Sequence, residues 1–407
     1  MNIKTITTCV FLLTLEATAH ATSLFESGID DVPTEEKDEE NMYATFFDRV
    51  VIPARESVRR NALGEAITVS ESDAATIKSG AAGKCSEDAL TVRILEADRK
   101  LVIVGGGPAG LSAAVYAARA GLSPLIIARD GGQLEGTSDV HNYPGFDEGV
   151  DAVDLIQRLE RQAERFGADR KECGVRDVDL TCRPFKVYCE DGEVITSSAV
   201  VIATGASPRW IGAEGEQELI SKGVHTCATC DGYFYRGKHA VVIGGGDTAM
   251  EQALFLARLA SRVTLIHRGG VLRASKAMAT RVLKHPNILI LWNTSVKRFV
   301  ADESTGALSS LDIETLTTMG ENATSNLAVD GAFVAIGHTP NSEKFRGVRT
   351  DSKGYIYTLP GSTVTSVTGV FAAGDVQDDL YRQAITSAGT GAMAAMDAER
   401  WLCEHGC

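Results

Sequence analysis

The stretch that decides the fold is LVIVGGGPAG, residues 101–110. Four apolar residues lead into Gly105, Gly107 and Gly110, a G-x-G-x-x-G pattern, and a helical stretch follows at 111–120. In a strand–turn–helix unit the first glycine makes the tight turn, the second lets the backbone approach a pyrophosphate, and the third lets the helix pack on the strand. Unpaired N–H groups at the helix N-terminus then bind phosphate. The stretch predicts a dinucleotide site.

The same unit recurs further along the chain as VVIGGGDTA, residues 241–249. The offset between the two copies is constant from Gly105 and Gly244 to Ile127 and Ile266. Two nucleotide-binding units in register within one chain suggest two different nucleotides. We therefore expect an α/β protein with two Rossmann-like domains.

The residues after the second strand of each unit indicate which nucleotide it binds. A ribose 2′-OH is commonly bonded by an acid about 20 residues past the glycines, whereas a 2′-phosphate needs arginine. The first unit ends on Asp130, and the second reads His267-Arg268, with Arg273 five positions on. The second unit is therefore expected to bind NADP(H), with Arg268 and Arg273 on the phosphate. The alternative is that both arginines are solvated surface residues.

Between the two units lies a C-x-x-C motif in CATCDG, residues 227–232. Thiols at this spacing can close a disulfide, and the thiolate is the reactive form. The competing interpretation, half of a zinc site, needs two further ligands, and the remaining cysteines contain no second C-x-x-C. The motif therefore favours redox chemistry, and no metal site is predicted.

Length and composition limit the remaining classes of protein. The 407 residues are 44% hydrophobic and 23% charged, which suits a globular protein of two or three domains. The net charge of −14 and the lack of a Lys/Arg cluster argue against nucleic acid as a partner. Nine cysteines are too sparse for a disulfide-stapled secreted scaffold. No stretch reaches the roughly 20 apolar residues of a membrane span.

The N-terminal hundred residues differ in character from the rest. Residues 1–21 carry Lys4, an apolar run at 9–15 and an Ala-His-Ala end, which is the order of a secretory signal peptide. An irregular N-terminus is the alternative. Residues 22–45 hold eight acids and one lysine, a composition typical of a solvated tail. We predict a signal peptide at 1–21 and an acidic, disordered extension at 22–98.

Several motifs in order resemble one family, the low-molecular-weight thioredoxin reductases, over about 99–401. They are GGGPAG (105–110), GGQL (131–134), NYPG (142–145), ATGA (203–206), CATCDG (227–232), GGGDTA (244–249), AIGH (335–338), GD (374–375) and YRQA (381–384). The cysteine pair belongs to the second nucleotide unit; in the glutathione-reductase branch it belongs to the first. The resemblance implies three-layer β/β/α domains, with FAD bound by 99–208 and 337–402, NADPH by an inserted 209–336, and a tail at 403–407.

The resemblance also implies residue roles. In the FAD site the glycine loop holds the pyrophosphate, Asp375 bonds the ribityl chain, and backbone N–H groups at 382–384 lie beside the flavin, where a helix N-terminus favours negative charge. The implied FAD residues are Gly105, Gly107, Pro108, Ala109, Gly110, Gln133, Asn142, Ala203, Thr204, Gly205, Asp375, Arg382, Gln383 and Ala384. The implied NADPH residues are Gly244, Gly246, Asp247, Thr248, Ala249, His267, Arg268 and Arg273.

The implied activity is that of an NADPH-dependent thioredoxin-disulfide reductase with a role in redox homeostasis. Hydride passes from NADPH to FAD, two electrons pass to the disulfide, and the dithiol reduces thioredoxin by exchange. Cys230 would face the flavin, Cys227 would attack the partner, and Asp231 would be the acid/base, with His225 as the alternative proton donor. A large rotation of the NADPH domain and a homodimer are also implied.

Two features depart from the family pattern. Its NADPH loop carries a second arginine where this chain has Gly269, so weaker NADPH binding or partial use of NADH is expected. Cys403 and Cys407 could form a secondary relay, or belong to a frayed tail without redox function.

Two rival functions stay open at this point: a flavin-dependent dithiol oxidase, which has no need for an NADPH unit, and a redox-sensing binding protein. A signal peptide together with a need for NADPH suggests an organelle lumen, either the endoplasmic reticulum or a plastid reached through it. The cytoplasm is the alternative.

Overall fold

The structure, a computed structural model, describes residues 97–137 and 139–406. The predicted signal peptide, nearly all of the predicted acidic extension and Cys407 lie outside the described residues. The described helices are α1 (Pro108–Arg119), α2 (Ala152–Arg165), α3 (Ala228–Asp231), α4 (Asp247–Leu256), α5 (Lys276–Leu283) and α6 (Ala384–Glu404).

Nineteen strands are described in the same residues. They are β1 (Arg99–Val104), β2 (Leu125–Ala128), β3 (Asp139–Val140), β4 (Val150–Asp151), β5 (Asp169–Glu172), β6 (Val175–Asp179), β7 (Phe185–Cys189), β8 (Val194–Ile202), β9 (Ala206–Pro208), β10 (Val224–His225), β11 (His239–Ile243), β12 (Arg262–Ile266), β13 (Ile288–Leu291), β14 (Thr294–Ala301), β15 (Leu308–Leu316), β16 (Asn322–Ala328), β17 (Gly331–Val334), β18 (His338–Pro340) and β19 (Val370–Ala372).

A seven-stranded sheet forms the centre of what we call the outer unit, residues 99–208 and 337–402. Its order is β5-β2-β1-β8-β7-β6, with β19 also paired to β8. Alternate residues of β1 point to opposite faces, as in any strand. Leu101 and Ile103 pack with α1 and α6, whereas Val102 and Val104 pack with Phe185 of β7. The outer unit therefore has one apolar core between the sheet and helices α1 and α6, and a second apolar core that contains Phe185.

A five-stranded parallel sheet, β10-β17-β11-β12-β13, forms the centre of the inserted unit, residues 209–336. On one face Val242 packs with Met250 of α4 and Val282 of α5. On the other face Val241 packs with Leu311 of β15, in the three-stranded sheet β14-β15-β16. The predicted three-layer β/β/α architecture is therefore confirmed.

The two units are joined by a short antiparallel ribbon of β9 and β18, in which Pro208 pairs with His338 and Ala206 pairs with Pro340. The chain crosses from the outer unit to the inserted unit after β9 and returns at β18. The boundaries predicted at 208/209 and 336/337 fall at this ribbon.

The C-terminal helix α6 runs past the boundary predicted at 402, through Cys403 to Glu404. Stacking of Trp401 on His405, with ring centroids 4.4 Å apart, and of Arg183 on Trp401 holds this last turn. Cys403 is thus an exposed thiol at the end of a helix. Within the described residues no helix is both long and apolar enough to cross a membrane.

Candidate active site

The first glycine loop has the close contacts that its sequence predicts. Gly105 has a φ of +123°, and a Cβ there would lie 2.2 Å from the carbonyl oxygen of Ala203. A Cβ on Gly110 would lie 1.9 Å from the carbonyl oxygen of Gly105. Gly107 is the N-cap of α1 and provides no side-chain cap, so the first N–H groups of the helix are left for a ligand.

A cavity of about 1810 Å³ opens from this loop. Many of the predicted FAD residues line it: Gly105, Gly107, Pro108, Ala109, Gln133, Asn142, Ala203, Thr204, Gly205, Asp375, Arg382, Gln383 and Ala384. Gly110 does not line the cavity; it packs beneath the loop. A long cavity that begins at an uncapped helix N-terminus fits a dinucleotide.

Asp375 supplies a carboxyl group to this cavity. Burial raises its pKa to about 6; the neighbouring Asp378 adds to the rise, and a hydrogen bond and Arg382 oppose it. That hydrogen bond comes from the Ser387 hydroxyl, which donates to Oδ1 at 2.9 Å. A sheltered carboxyl with free acceptor capacity fits a sugar-like hydroxyl chain, so these residues fit FAD.

The wall of the same cavity contains the redox pair, Cys227 and Cys230, joined by a disulfide. Cys227 is the N-cap of the short helix α3, and its Sγ accepts a hydrogen bond from the Cys230 N–H at 3.2 Å. Both residues are half-buried. The structure therefore brings the C-x-x-C motif of the inserted unit together with the dinucleotide loop of the outer unit.

Asp231 and His225, the two candidate proton donors, are in contact. His225 Nδ1 lies 3.3 Å from Asp231 Oδ2, and its Nε2 lies 2.6 Å from the Tyr235 hydroxyl. Burial raises the pKa of Tyr235, and the charge of Asp231 adds to the rise. The sequence offered Asp231 and His225 as alternatives, whereas the structure places the His225 ring between the Asp231 carboxyl group and the Tyr235 hydroxyl.

The second glycine loop resembles the first. A Cβ on Gly244 would lie 2.3 Å from the carbonyl oxygen of Ala335, whereas one on Gly246 would meet open space. Gly246 caps α4 without a side-chain bond, so the N–H groups of that helix are also left for a ligand. Ala249 is buried behind the loop. These features fit a second dinucleotide.

Two predicted NADPH residues hold the neighbouring loop, 267–275, in shape. Asp247 Oδ1 accepts from both the backbone N–H and the hydroxyl of Ser275, each at 2.9 Å. His267 is buried, and its Nε2 lies 2.9 Å from the carbonyl oxygen of Val271. Arg268 and Arg273 are exposed. Within residues 97–137 and 139–406 neither guanidinium has an ion-pair partner, which leaves both for a phosphate.

The second glycine loop contributes little to the large cavity. Of the predicted NADPH residues only Thr248 lines it; Gly244, Gly246, Arg268 and Arg273 do not. The disulfide, by contrast, does line it. The cavity that fits FAD thus includes the redox pair but little of the second nucleotide site.

Some residues at the site carry no chemical motif and were missed from the sequence. Thr229, within the C-x-x-C, and Tyr235 contact the groups described above. Tyr233 and Phe234 directly follow the redox pair and are 68% and 43% exposed. Aromatic residues next to reactive cysteines are the sequence signal that could have located Tyr233 and Phe234, because exposed aromatic side chains often mark an interface.

Comparison with known proteins first establishes the class. Residues 99–392 match the family described as pyridine nucleotide-disulphide oxidoreductase, and the chain belongs to it. Members of this class use FAD and a pyridine nucleotide with a cysteine pair, which are the groups for which the two loops and the disulfide are built.

Within this class the chain belongs to the thioredoxin reductases. It is 46% identical over 316 residues to the thioredoxin reductase of Dictyostelium discoideum, covering 75% of this chain and 97% of that protein. It is 45% identical over 321 residues to thioredoxin reductase 2 of Arabidopsis thaliana, covering 75% and 83%. The solved structure of the Giardia duodenalis thioredoxin reductase aligns with a TM-score of 0.70 at 38% identity, covering 75% of this chain and 99% of that one.

The family resemblance drawn from the motifs is thus confirmed, and FAD and NADPH are the cofactors. The oxidase and the redox-sensing binding protein are not favoured.

Proposed function

We propose that this protein reduces the disulfide of a thioredoxin or a thioredoxin-like protein with electrons from NADPH. One observation carries the proposal: the Cys227–Cys230 disulfide lies in the wall of the cavity that fits FAD. Bound FAD supplies a carrier that accepts hydride and delivers two electrons to a disulfide. The exposed Tyr233 and Phe234 beside the pair provide a surface for a protein substrate.

The chain's own residues handle the thiols and the protons. Cys227 attacks the substrate disulfide, and Cys230 then attacks the mixed disulfide and releases the reduced partner. Asp231, which lies beside His225 and its partner Tyr235, protonates the departing thiolate. The α3 N-terminus at Cys227 favours negative charge on that sulfur.

The decisive experiment compares Cys227→Ser and Cys230→Ser with the native chain. NADPH added without oxygen should bleach the flavin absorbance of all three proteins, because the path to the flavin is unchanged. Turnover with thioredoxin should fall to background in both variants, because disulfide exchange needs both sulfurs. Absence of bleaching in the native chain would refute the enzyme function, and thiol-dependent oxygen uptake without NADPH would point to an oxidase.

Two further parts of the proposal concern assembly and location. We expect a homodimer, to be checked by light scattering during gel filtration. We expect an organelle lumen as the site of action, with a signal peptide at 1–21 directing the chain there. A fluorescent protein fused behind residues 1–96 should then enter the secretory route, and diffuse cytoplasmic fluorescence would contradict this part.

A further inference from the structure

The side chain of Gln383 is fixed at its carbonyl end. Gln383 is the N-cap of α6, and its side-chain oxygen accepts from the backbone N–H of Thr386 in a capping box. The same Oε1 accepts from Asn142 Nδ2 at 3.2 Å. An amide oxygen has two lone pairs, and these two donors occupy both. The same oxygen lies 4.0 Å from Cys230 Sγ, so the whole amide group lies close to that sulfur and only its nitrogen is free to donate to α3.

That nitrogen points toward the redox pair. Gln383 Nε2 lies 3.2 Å from Thr229 Oγ1, 3.8 Å from Cys227 Sγ and 3.9 Å from Cys230 Sγ. It also lies 3.1 Å and 3.2 Å from the carbonyl oxygens of Arg382 and Tyr381, in its own chain segment. Thr229 Oγ1 of α3 is thus one of three close acceptors for the two N–H groups, and the two sulfurs are more distant ones.

This contact crosses between the two units. Gln383 and Asn142 belong to the outer unit, whereas α3 and its two sulfurs belong to the inserted unit. A neutral amide donor bonds a thiolate more strongly than it bonds a disulfide sulfur, because hydrogen bonds to charged acceptors are about twice as strong. The contact thus strengthens when the disulfide takes up two electrons and one proton and becomes one thiol and one thiolate.

We propose that the Gln383 side chain is a positioning group for the redox pair, which holds α3 against the outer unit and donates a hydrogen bond to the reduced sulfur. Asn142 orients it by occupying its carbonyl oxygen. This role is separate from the backbone contact to FAD that the resemblance assigns to Gln383. It rests on the redox function of Cys227 and Cys230 proposed above.

The matched variants are Gln383→Leu and Gln383→Asn. Leucine removes both the helix cap and the amide donor. Asparagine is among the best N-cap residues, so it keeps the cap, but its side chain is one methylene shorter and cannot also reach α3. Both retain the backbone N–H at position 383. Asn142→Ala, which frees the carbonyl oxygen, completes the set.

The test measures the thiols directly. Holoenzyme is reduced with dithiothreitol, desalted without oxygen and alkylated with iodoacetamide across a pH series, and mass spectrometry reports the modification of Cys227 and Cys230. Loss of one hydrogen bond to the thiolate should raise the midpoint of alkylation by about one to two pH units in both Gln383 variants. Deuterium exchange of residues 226–232 should become faster. Asn142→Ala should move both in the same direction by less.

Two outcomes would overturn the proposal. One is an unchanged midpoint in Gln383→Asn when its thermal stability equals that of the native chain. The other is a shift in Gln383→Leu that is absent from Gln383→Asn, because the helix cap would then be responsible. Thioredoxin is not used in this test, so the proposal and the thioredoxin reductase function can fail separately.

Discussion

At the scale of single residues, two half-buried titratable groups line the FAD cavity, and their pKa values are shifted in opposite directions. Burial raises the pKa of Asp375 to about 6. Burial, together with Arg382 and Arg209, lowers the pKa of His338 to about 4. At neutral pH the first is therefore an ionised carboxylate in a sheltered place and the second is a neutral imidazole. The charge at this end of the cavity is thus set by Asp375 and the two arginines.

Asp375→Asn should stabilise the protein without FAD at neutral pH but not at acid pH. The native carboxyl binds its proton more tightly folded than unfolded, so its stabilising effect is complete below pH 3.8 and is lost as pH rises through 6. The upper limit of that loss is about 3 kcal/mol. Thermal melts of FAD-free protein should differ by a few degrees at pH 7.5 and coincide near pH 3.5.

The same melts contain a control for the titration of His338. The stability that the protein gains from neutral His338 is lost as pH falls from 6.5 to 4, and this loss is equal in the native chain and in Asp375→Asn. The difference in melting temperature between the two proteins therefore reports Asp375 alone. Parallel melting curves at every pH would contradict the assignment.

Gly269→Arg should raise the preference for NADPH over NADH. A Cβ at this position meets only the His267 ring, at 3.4 Å from Nε2 and 3.9 Å from Cδ2, so a side chain fits beside Arg268. One added charge-assisted hydrogen bond corresponds to about 1.5–3 kcal/mol, or about a 10- to 150-fold rise in the ratio of kcat/KM values. Gly270→Arg, at the next exposed position, is the matched control and should change the ratio less. Equal efficiency with both nucleotides in the native chain would contradict the role of Arg268.

At the scale of elements, α1 and α6 cross closely at a glycine of α6. A Cβ on Gly391 of α6 would lie 2.0 Å from the carbonyl oxygen of Ala109, in α1. The motif at 105–110 predicted strand β1 and the start of helix α1, because each of its glycines acts within the strand–turn–helix unit itself. It did not predict that α6, nearly 300 residues later, would need a glycine to pack against it, because that need arises only in the tertiary contact.

Gly391→Ala should destabilise the protein, by at least the 1–3 kcal/mol typical of an overpacked core. Gly389→Ala is the matched control: it lies in the same helix, with nothing within 4 Å of its Cβ. This variant should be neutral or more stable by up to about 1 kcal/mol, because alanine is the better helix former. Urea unfolding checks both. A destabilised Gly389→Ala with an unaffected Gly391→Ala would reverse the packing argument.

At the scale of the whole molecule, the FAD cavity includes the disulfide but, of the predicted NADPH residues, only Thr248. We therefore predict that NADPH delivers its hydride in another arrangement of the two units, as the family resemblance implies. The sequence located both loops and the redox pair, because each depends on local residue types. It could not show which two of the three would face each other, because that depends on how the units pack.

Flavin bleaching by NADPH should slow as the solvent becomes more viscous, because rotation of the inserted unit must displace solvent. Stopped-flow absorbance in sucrose solutions measures this, with a rate constant that falls roughly in proportion to relative viscosity. Bleaching by dithionite, a small reductant that needs no rotation, is the control and should stay constant. A rate with NADPH that is independent of viscosity would contradict the need for rotation.

The β9–β18 ribbon has a consequence for how such a chain can change in evolution. Its paired residues Pro208 and His338 bring the two ends of the inserted unit side by side. Paired antiparallel positions lie about 5 Å apart, a gap that a two-residue hairpin turn closes. The coding sequence of the inserted unit could therefore be gained, lost or exchanged at a single point, while the outer unit keeps its own sheet and the helices α1, α2 and α6 that pack on it.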